Sequence, residues 1–172
     1  CSVSPPKTRG GGRGGGPPFP PPPVGGGGAP SDNTTPLCTQ IADRRNWGFA
    51  NINLRSYYAE GAKTFAFEIV EQLGWRTPAH VVSPVAGGTL LPRIARGFRE
   101  LLTLGLAEGE MPRLYAAQAE GCAPVVRALE AGRDPPEPVR PDTIAKSIAI
   151  GNPANGFQAL EVIRDTGGWG AA

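Results

Sequence analysis

The sequence is poor in the residues from which most metal and redox sites are built. Among 172 residues there are three cysteines, one histidine and one methionine, and no C-x-x-C pair occurs. A single histidine with scattered thiols excludes a structural zinc site, and three distant cysteines argue against a disulfide framework. Because this usage fits a reducing cytosol, we expect a cytoplasmic protein.

Long apolar runs and a strong charge of one sign are also missing. No stretch approaches the roughly 18 uninterrupted apolar residues of a membrane span. The net charge is +2, from 17 basic and 15 acidic residues, so no global field draws the chain toward nucleic acid. We therefore expect neither a membrane nor a nucleic acid as partner.

Glycine and proline are abundant, but they are concentrated at one end. Residues 1–36 contain 10 Gly and 10 Pro, which leaves few positions able to form regular secondary structure. The glycines come in runs without a three-residue period, so a collagen helix is excluded. This composition predicts a disordered low-complexity tail at 1–36 and a folded domain at 37–172.

The tail carries two short motifs that support an alternative function. Residues 8–16 (T-R-G-G-G-R-G-G-G) resemble an RNA-binding RGG segment, and residues 19–23 (F-P-P-P-P) favour a polyproline II helix. Each motif occurs once. They leave open a non-catalytic α/β scaffold whose Gly/Pro-rich tail binds RNA or a polyproline reader.

Helical and strand patterns alternate after residue 36. The clearest helix spans residues 61–73, with Ala62, Phe65, Ala66, Ile69, Val70 and Leu73 on one apolar face and Gly74 as its stop. Helices are also predicted at 37–45, from Thr89 onward, at 123–131 and at 155–164, and strands at 49–52, 80–85 and 113–119. This order predicts an α/β fold with a mainly parallel sheet and flanking helices.

The strongest chemical signal is the turn between the strand at 80–85 and the helix that begins near Thr89. Free amides at a helix N-terminus, with the positive end of the helix dipole, form an anion site. Gly87 and Gly88 allow close backbone approach, and the Thr89 hydroxyl is suited to cap the helix and to donate to an anion. The turn matches neither the Walker loop nor G-x-G-x-x-G.

Other reactive side chains are given ordinary roles. His80 is interpreted as a surface or edge histidine, and Cys38 and Cys122 as buried thiols on helix faces. Lys63, which follows Gly61 at a helix start, is interpreted as a solvated charge.

Four segments in order resemble motifs of bacterial threonine synthases. They are residues 53–64 (N-L-R-S-Y-Y-A-E-G-A-K-T), 84–90 (P-V-A-G-G-T-L), 117–124 (A-Q-A-E-G-C-A-P) and 147–156 (S-I-A-I-G-N-P-A-N-G). The similarity covers residues 37–168 and leaves the tail unmatched.

The resemblance implies a partial fold type II enzyme, similar to the tryptophan synthase β-subunit, that uses pyridoxal 5'-phosphate. It implies conversion of O-phosphohomoserine and water to threonine and phosphate, by a full-length enzyme expected to be a homodimer. The implied cradle for the cofactor phosphate comprises Ala86, Gly87, Gly88, Thr89 and Leu90.

The chain departs from the family pattern at the lysine that binds the cofactor covalently. That lysine belongs to an F-K-D-R-like motif upstream of residues 53–64, and neither Lys63 nor Lys146 matches it. No catalytic residue is therefore assigned. The missing motif and the first residue, Cys1, favour a threonine synthase fragment; a threonine dehydratase or a cysteine synthase-like enzyme remains the alternative within the superfamily.

Overall fold

The computed structural model describes residues 56–172 together with residues 2–3, 44 and 49–50. The chain divides into two compact units, Cys1–Asn51 and Ile52–Ala172. In the first unit, strand β1 (Ser2–Val3) pairs antiparallel with strand β2 (Phe49–Ala50). β2 confirms part of the strand predicted at 49–52. Of the helix predicted at 37–45, only residue 44 is described, and it is helical. The two tail motifs and the boundary at residue 36 lie outside the described residues.

The second unit contains a three-stranded parallel sheet and five helices among the described residues. The helices are α1 (Ser56–Gly61), α2 (Thr64–Gln72), α3 (Leu90–Thr103), α4 (Pro124–Glu130) and α5 (Gly156–Asp165), and a 3-10 turn spans Lys146–Ile148. The strands are β3 (His80–Pro84), β4 (Arg113–Ala117) and β5 (Gly170–Ala171), in the order β3-β4-β5. The predicted parallel α/β layer is confirmed.

One face of the sheet carries the main core. Val81 pairs with Leu114 and Ser83 with Ala116, so these four residues share a face. Leu114, Ala116 and Val85 pack against buried residues of three helices: Leu91 and Ala95 on α3, Val125, Ala128 and Leu129 on α4, and Ala159, Leu160, Val162 and Ile163 on α5. The opposite face of β3 exposes His80, Val82 and Pro84.

A second core joins α2 to α3. Ala66 and Val70 of α2 pack with Ile94, Phe98 and Leu101 of α3. The face predicted for α2 is partly wrong, because Phe65 and Leu73 are about half exposed and Phe67 packs against the core in their place. The sequence period placed the face correctly at its centre, Ala66 and Val70, and wrongly at its flanks.

The close approach of α2 and α3 depends on Gly97. A Cβ atom at this position would lie 2.7 Å from the Cβ of Ala66 and 2.8 Å from the carbonyl oxygen of Lys63. Real Cβ atoms do not approach other atoms so closely, so a larger residue would force the helices apart. Gly97 thus holds the start of α2 against the middle of α3.

Candidate functional site

The predicted Gly-Gly turn lies at the carboxyl edge of the parallel sheet, where ligands bind in open α/β folds. It leaves β3 after Pro84 and enters the 14-residue helix α3 at Leu90. Gly88 has φ +82, and a Cβ there would lie 2.5 Å from the carbonyl oxygen of Asn155. Both the backbone conformation and the packing therefore require glycine at position 88.

Gly87 has a different environment from its neighbour. Its nearest would-be Cβ contact is the Cδ1 atom of Ile150 at 3.8 Å, so the space above its backbone is open. The Gly87 carbonyl accepts a 2.9 Å hydrogen bond from the Asn155 amide, which fixes the plane of the turn. Within the described part of the chain, the amides of Gly87 and Gly88 donate no hydrogen bond. Open space, unpaired amides and the positive end of α3 fit a phosphate ester.

Ala86 and Leu90, the outer residues of the predicted cradle, contribute in different ways. Ala86 is half-buried at the end of β3, and the side chain of Leu90 packs against the core formed by α2 and α3. Leu90 therefore offers an anion only its backbone, and its amide lies in the first helical turn, which has no intrahelical acceptor.

Thr89 does not cap α3, which corrects the sequence prediction. It has helical dihedral angles (φ −81, ψ −40), and its side chain makes no capping hydrogen bond. The hydroxyl instead donates to Oδ1 of Asn155 at 3.0 Å. The Asn155 amide in turn donates through Nδ2 to Oε1 of Gln158 at 3.2 Å. The Thr89 proton thus points toward the loop before α5.

Gln118 connects the ends of β3 and β4 to α4. Its side chain is buried, its Nε2 donates to the carbonyl of Val85 at 2.9 Å, and its Oε1 accepts from the amides of Val125 and Val126 at 2.9 and 3.0 Å. One side chain therefore satisfies two orphan amides at the start of α4 and one strand-end carbonyl. This bonding holds the residue before Ala86 in place.

Lys63 is a buried ion-paired residue, so its interpretation as a solvated charge is wrong. Its Nζ lies 2.6 Å from Glu60 and 2.8 Å from Glu100, and Arg96 contacts both carboxylates. The hydrogen bonds that Lys63 donates to Glu100 and Glu60 raise the pKa of Lys63 above its usual value of 10.5. The same contacts, led by the hydrogen bond to Lys63, lower the pKa of both Glu60 and Glu100. A protonated amine held by two carboxylates is not a nucleophile.

The remaining candidates behave largely as the sequence predicts. His80 is exposed on the edge strand β3, and its Nδ1 lies 3.1 Å from the Tyr115 hydroxyl. Cys122 is buried, but it lies in the turn before α4 rather than on a helix. Cys38 lies outside the described residues, and Lys146 is exposed in the 3-10 turn. Within the described ranges, no cluster of three or more potential metal ligands occurs, and no helix is long and apolar enough to cross a membrane.

The sequence did not identify Gln118, Asn155 or Gln158 as site residues. Gln118 and Asn155 belong to two of the quoted segments, 117–124 and 147–156, so the segments were noticed but their side chains were given no role. The signal that could have found Gln118 and Asn155 is position: Gln118 lies at the end of a predicted strand, and Asn155 lies at the start of a predicted helix.

Comparison with protein families places these segments in a known group. A family model described as "Pyridoxal-phosphate dependent enzyme" matches residues 23–172. The matched range includes all described residues of the second unit and begins within the Gly/Pro-rich tail.

Several characterised proteins are similar to the chain. A threonine synthase of Methanosarcina acetivorans is 39% identical over 117 residues, which are 67% of this chain and 29% of the relative. A threonine synthase of Methanocaldococcus jannaschii is 34% identical over 142 residues, which are 82% of this chain and 35% of the relative. The chain thus spans about a third of the length of these relatives, and the predicted resemblance to threonine synthases is confirmed.

Solved structures share the fold at low sequence identity. Maize serine racemase has a TM-score of 0.57 with 18% identity, over 79% of this chain and 39% of that one. The processed threonine deaminase isoform 2 of Solanum lycopersicum has a TM-score of 0.52 with 18% identity, over 70% and 34%. These neighbours support the predicted fold class.

Proposed function

Because the chain belongs to the family of pyridoxal-phosphate dependent enzymes, we propose that it forms the cofactor-phosphate part of a threonine synthase. The full enzyme would convert O-phosphohomoserine and water to threonine and inorganic phosphate. The proposal combines the geometry of the Gly-Gly turn with the similarity to threonine synthases over most of the second unit.

The open space above Gly87 is the observation that carries the proposal. A methyl group would fit there without displacing any protein atom, whereas position 88 has no such room. Packing within the protein does not require glycine at position 87. The presence of glycine there is explained if a ligand occupies the space that a side chain would fill. The amides of Gly87 and Gly88, which donate to no described residue, and the positive end of the α3 dipole favour a negatively charged ligand.

The residues of the turn would bind and orient the cofactor through its phosphate. The Gly87 and Gly88 amides would donate to phosphate oxygens, while Asn155 and Gln118 keep the backbone in place from either side. When bound, pyridoxal phosphate supplies an electron sink that stabilises carbanions at Cα and Cβ of the substrate. Lys63 is engaged by two carboxylates, so the covalent link to the cofactor is not assigned to it.

Three finer parts of the proposal come from the sequence rather than from the site. O-phosphohomoserine as substrate and a homodimeric full-length enzyme follow the threonine synthase resemblance, and a cytoplasmic location follows the cysteine usage. No observed contact favours the RNA- or polyproline-binding alternative, since its motifs lie outside the described residues.

Pyridoxal phosphate binding to the full chain tests the cradle. We expect Gly87→Ala to weaken binding by about tenfold or more, because the methyl group occupies the space of the phosphate and removes roughly one charge-assisted hydrogen bond. The urea midpoint should stay nearly unchanged, since the atom nearest to the new methyl group, Cδ1 of Ile150 at 3.8 Å, is at ordinary contact distance. The matched control is Gly61→Ala, where a Cβ meets no atom within 4 Å. Equal affinity of Gly87→Ala and the parent chain would contradict the proposal.

The catalytic part is tested in a chimera. The matching segment of the Methanosarcina acetivorans threonine synthase is replaced by the corresponding residues of this chain, and threonine and phosphate are quantified with O-phosphohomoserine as substrate. Release of both products in equal amounts supports the proposal. A chimera that folds and binds cofactor but deaminates threonine to a 2-oxo acid would favour the threonine dehydratase alternative.

A further inference from the structure

We propose that Asn155 and Gln158 are positioning residues whose side-chain amides turn together when phosphate binds. This rotation lets the Thr89 hydroxyl donate its hydrogen bond to the phosphate instead of to Asn155. The inference rests on the proposed function, because its ligand is the phosphate group bound at the Gly-Gly turn. It concerns the three side chains that form one hydrogen-bonded line from α3 to α5.

The argument begins with the single proton of the hydroxyl. A threonine side chain has one O–H donor, and Thr89 gives it to Oδ1 of Asn155 at 3.0 Å. A phosphate dianion carries acceptors only. Thr89 therefore binds phosphate through its hydroxyl only if Asn155 stops accepting that proton.

Turning the Asn155 amide by half a rotation resolves the conflict. Its Nδ2 then donates to Oγ1 of Thr89, which leaves the Thr89 proton for the phosphate. In the structure, Asn155 Nδ2 donates to Gln158 Oε1 at 3.2 Å. The same rotation would place Asn155 Oδ1 toward Gln158 in its place. Two facing carbonyl oxygens repel each other, so Gln158 must also turn and donate through Nε2.

The structure lets the side chains turn while the backbone stays fixed. The backbone N–H of Asn155 donates to the Gly87 carbonyl oxygen at 2.9 Å, and the backbone carbonyl of Asn155 lies against Gly88. The main chain of residue 155 is therefore fixed to the turn. Gln158 is half-buried on the first turn of α5, and its Nε2 makes no hydrogen bond to another described residue. Rotation of Gln158 therefore breaks no second bond.

We call this coupled rotation of the Asn155 and Gln158 amides the relay. It predicts that a residue at position 158 that can only accept hydrogen bonds keeps the arrangement seen in the structure, the resting arrangement. Gln158→Glu presents only carboxylate oxygens, so the Nδ2 of Asn155 continues to donate to residue 158. The Oδ1 of Asn155 then continues to accept the hydrogen bond from Thr89. We expect this variant to bind pyridoxal phosphate and inorganic phosphate about tenfold more weakly than the parent chain, the effect of losing about one hydrogen bond to a charged group.

A double-mutant cycle separates the relay from simple charge repulsion. The partner change is Thr89→Val, which removes the hydroxyl and keeps the shape. The negative charge of Gln158→Glu acts on phosphate in both backgrounds, so it cancels in the cycle. We expect Gln158→Glu to lose most of its effect in the Thr89→Val background. Gln158→Met, which has no preference for either amide orientation, should weaken binding clearly less than Gln158→Glu does.

Side-chain amide resonances give a readout that a merely structural role would not move. In nitrogen-15 spectra of the full chain, inorganic phosphate should shift the NH2 signals of both Asn155 and Gln158, and the shift should vanish in Thr89→Val. Urea unfolding of each variant checks that all remain folded, so a change in affinity is not a loss of structure.

The outcomes distinguish the relay from the proposed function on which it rests. If the folded parent chain binds neither pyridoxal phosphate nor phosphate, the cradle itself is wrong and the relay falls with it. If the parent binds, but the cycle is additive within about twofold or Gln158→Met weakens binding as much as Gln158→Glu, the relay is overturned and the cradle stands.

Discussion

At the scale of single residues, Gln118 is the side chain on which the geometry of the site depends most. It is a buried amide with three hydrogen bonds, one to the end of β3 and two to the start of α4. A buried donor or acceptor that loses its partner loses more free energy than the bond itself contributed. Gln118 therefore stabilises the strand end that precedes the Gly-Gly turn.

Replacing this residue by an apolar one tests that role. We expect Gln118→Leu to lower the unfolding free energy by about 2 to 4 kcal/mol, since the amides of Val125 and Val126 and the carbonyl of Val85 lose their partner in a buried site. Urea denaturation of the full chain measures the change.

The control for this prediction keeps the cap and removes only the donor. Gln118→Glu still accepts from both amides of α4, and its charge lies at the positive end of the helix. It should be less destabilising than Gln118→Leu at neutral pH. If the two variants are equally unstable, the cap is not the main contribution of Gln118.

At the scale of elements, the contact between α2 and α3 combines a glycine with a charge cluster. Gly97 lets Lys63, the residue before α2, lie directly on α3. The Lys63 amine then reaches Glu100, one turn along α3 from Gly97. Glu60 and Arg96 complete the cluster. Because Glu60, Arg96 and Glu100 are partly exposed, solvent screens the attraction within the cluster, and its effect is best seen in the pH dependence of stability.

The sign of that pH dependence follows from the direction of the pKa shifts. The pKa of Glu100 is lowered from its usual 4.5 in the folded chain, so the unfolded chain binds more protons in that range. Stability from this group is present above pH 4.5 and is lost as the pH falls through the lowered pKa. Lys63, with a raised pKa, contributes below pH 10.5 and loses its contribution as the pH rises through the folded pKa.

We therefore expect Glu100→Gln to flatten the pH dependence of the unfolding free energy below about pH 4.5. The variant should lose stability at pH 7 and progressively less as the pH falls through the lowered pKa of Glu100, because the carboxyl is then protonated in both states. Urea titrations across this range measure the difference. Glu68→Gln on α2 is the control, since Glu68 is exposed and forms no ion pair within residues 56–172. An unchanged slope in Glu100→Gln would contradict the assignment.

At the scale of the whole second unit, the described helices cover one face of the parallel sheet. Parallel sheets usually have both faces covered, yet Val82 in the middle of β3 is 69% exposed. Leu114, on the opposite face of the neighbouring strand, is fully buried. The stability of residues 56–172 thus comes from one layer of helices on one layer of strands.

Two substitutions on these opposite faces should differ strongly. We expect Leu114→Ala to lower the unfolding free energy by about 2 to 5 kcal/mol, because it leaves a cavity in the main core. Val82→Thr, which keeps a β-branched side chain, should change it by less than about 0.5 kcal/mol. Urea denaturation of the full chain measures both. A large loss for Val82→Thr would show that this face is covered in solution.

The sequence predicted the elements well where a local period was strong. The helices at α3 and α5, the strands β3 and β4 and the Gly-Gly turn lie within a few residues of the predicted limits, because alternation and helical spacing reflect burial directly. Predictions about individual side chains were less successful. Lys63 and Thr89 were given roles from their neighbours in the chain, whereas Glu100, which binds Lys63, lies 37 residues away and Asn155, which binds Thr89, lies 66 residues away.

The sequence by itself determined the fold class, the position of the Gly-Gly turn and the resemblance to threonine synthases, because these follow from local periodicity and contiguous motifs. Only the tertiary structure decided that Gly88 is required by packing and Gly87 is not, that Lys63 is held by two carboxylates, and that Thr89 donates to Asn155. These facts depend on residues brought together across the sheet edge and between α2 and α3. No pattern of neighbouring letters encodes such distances, since long-range packing sets them.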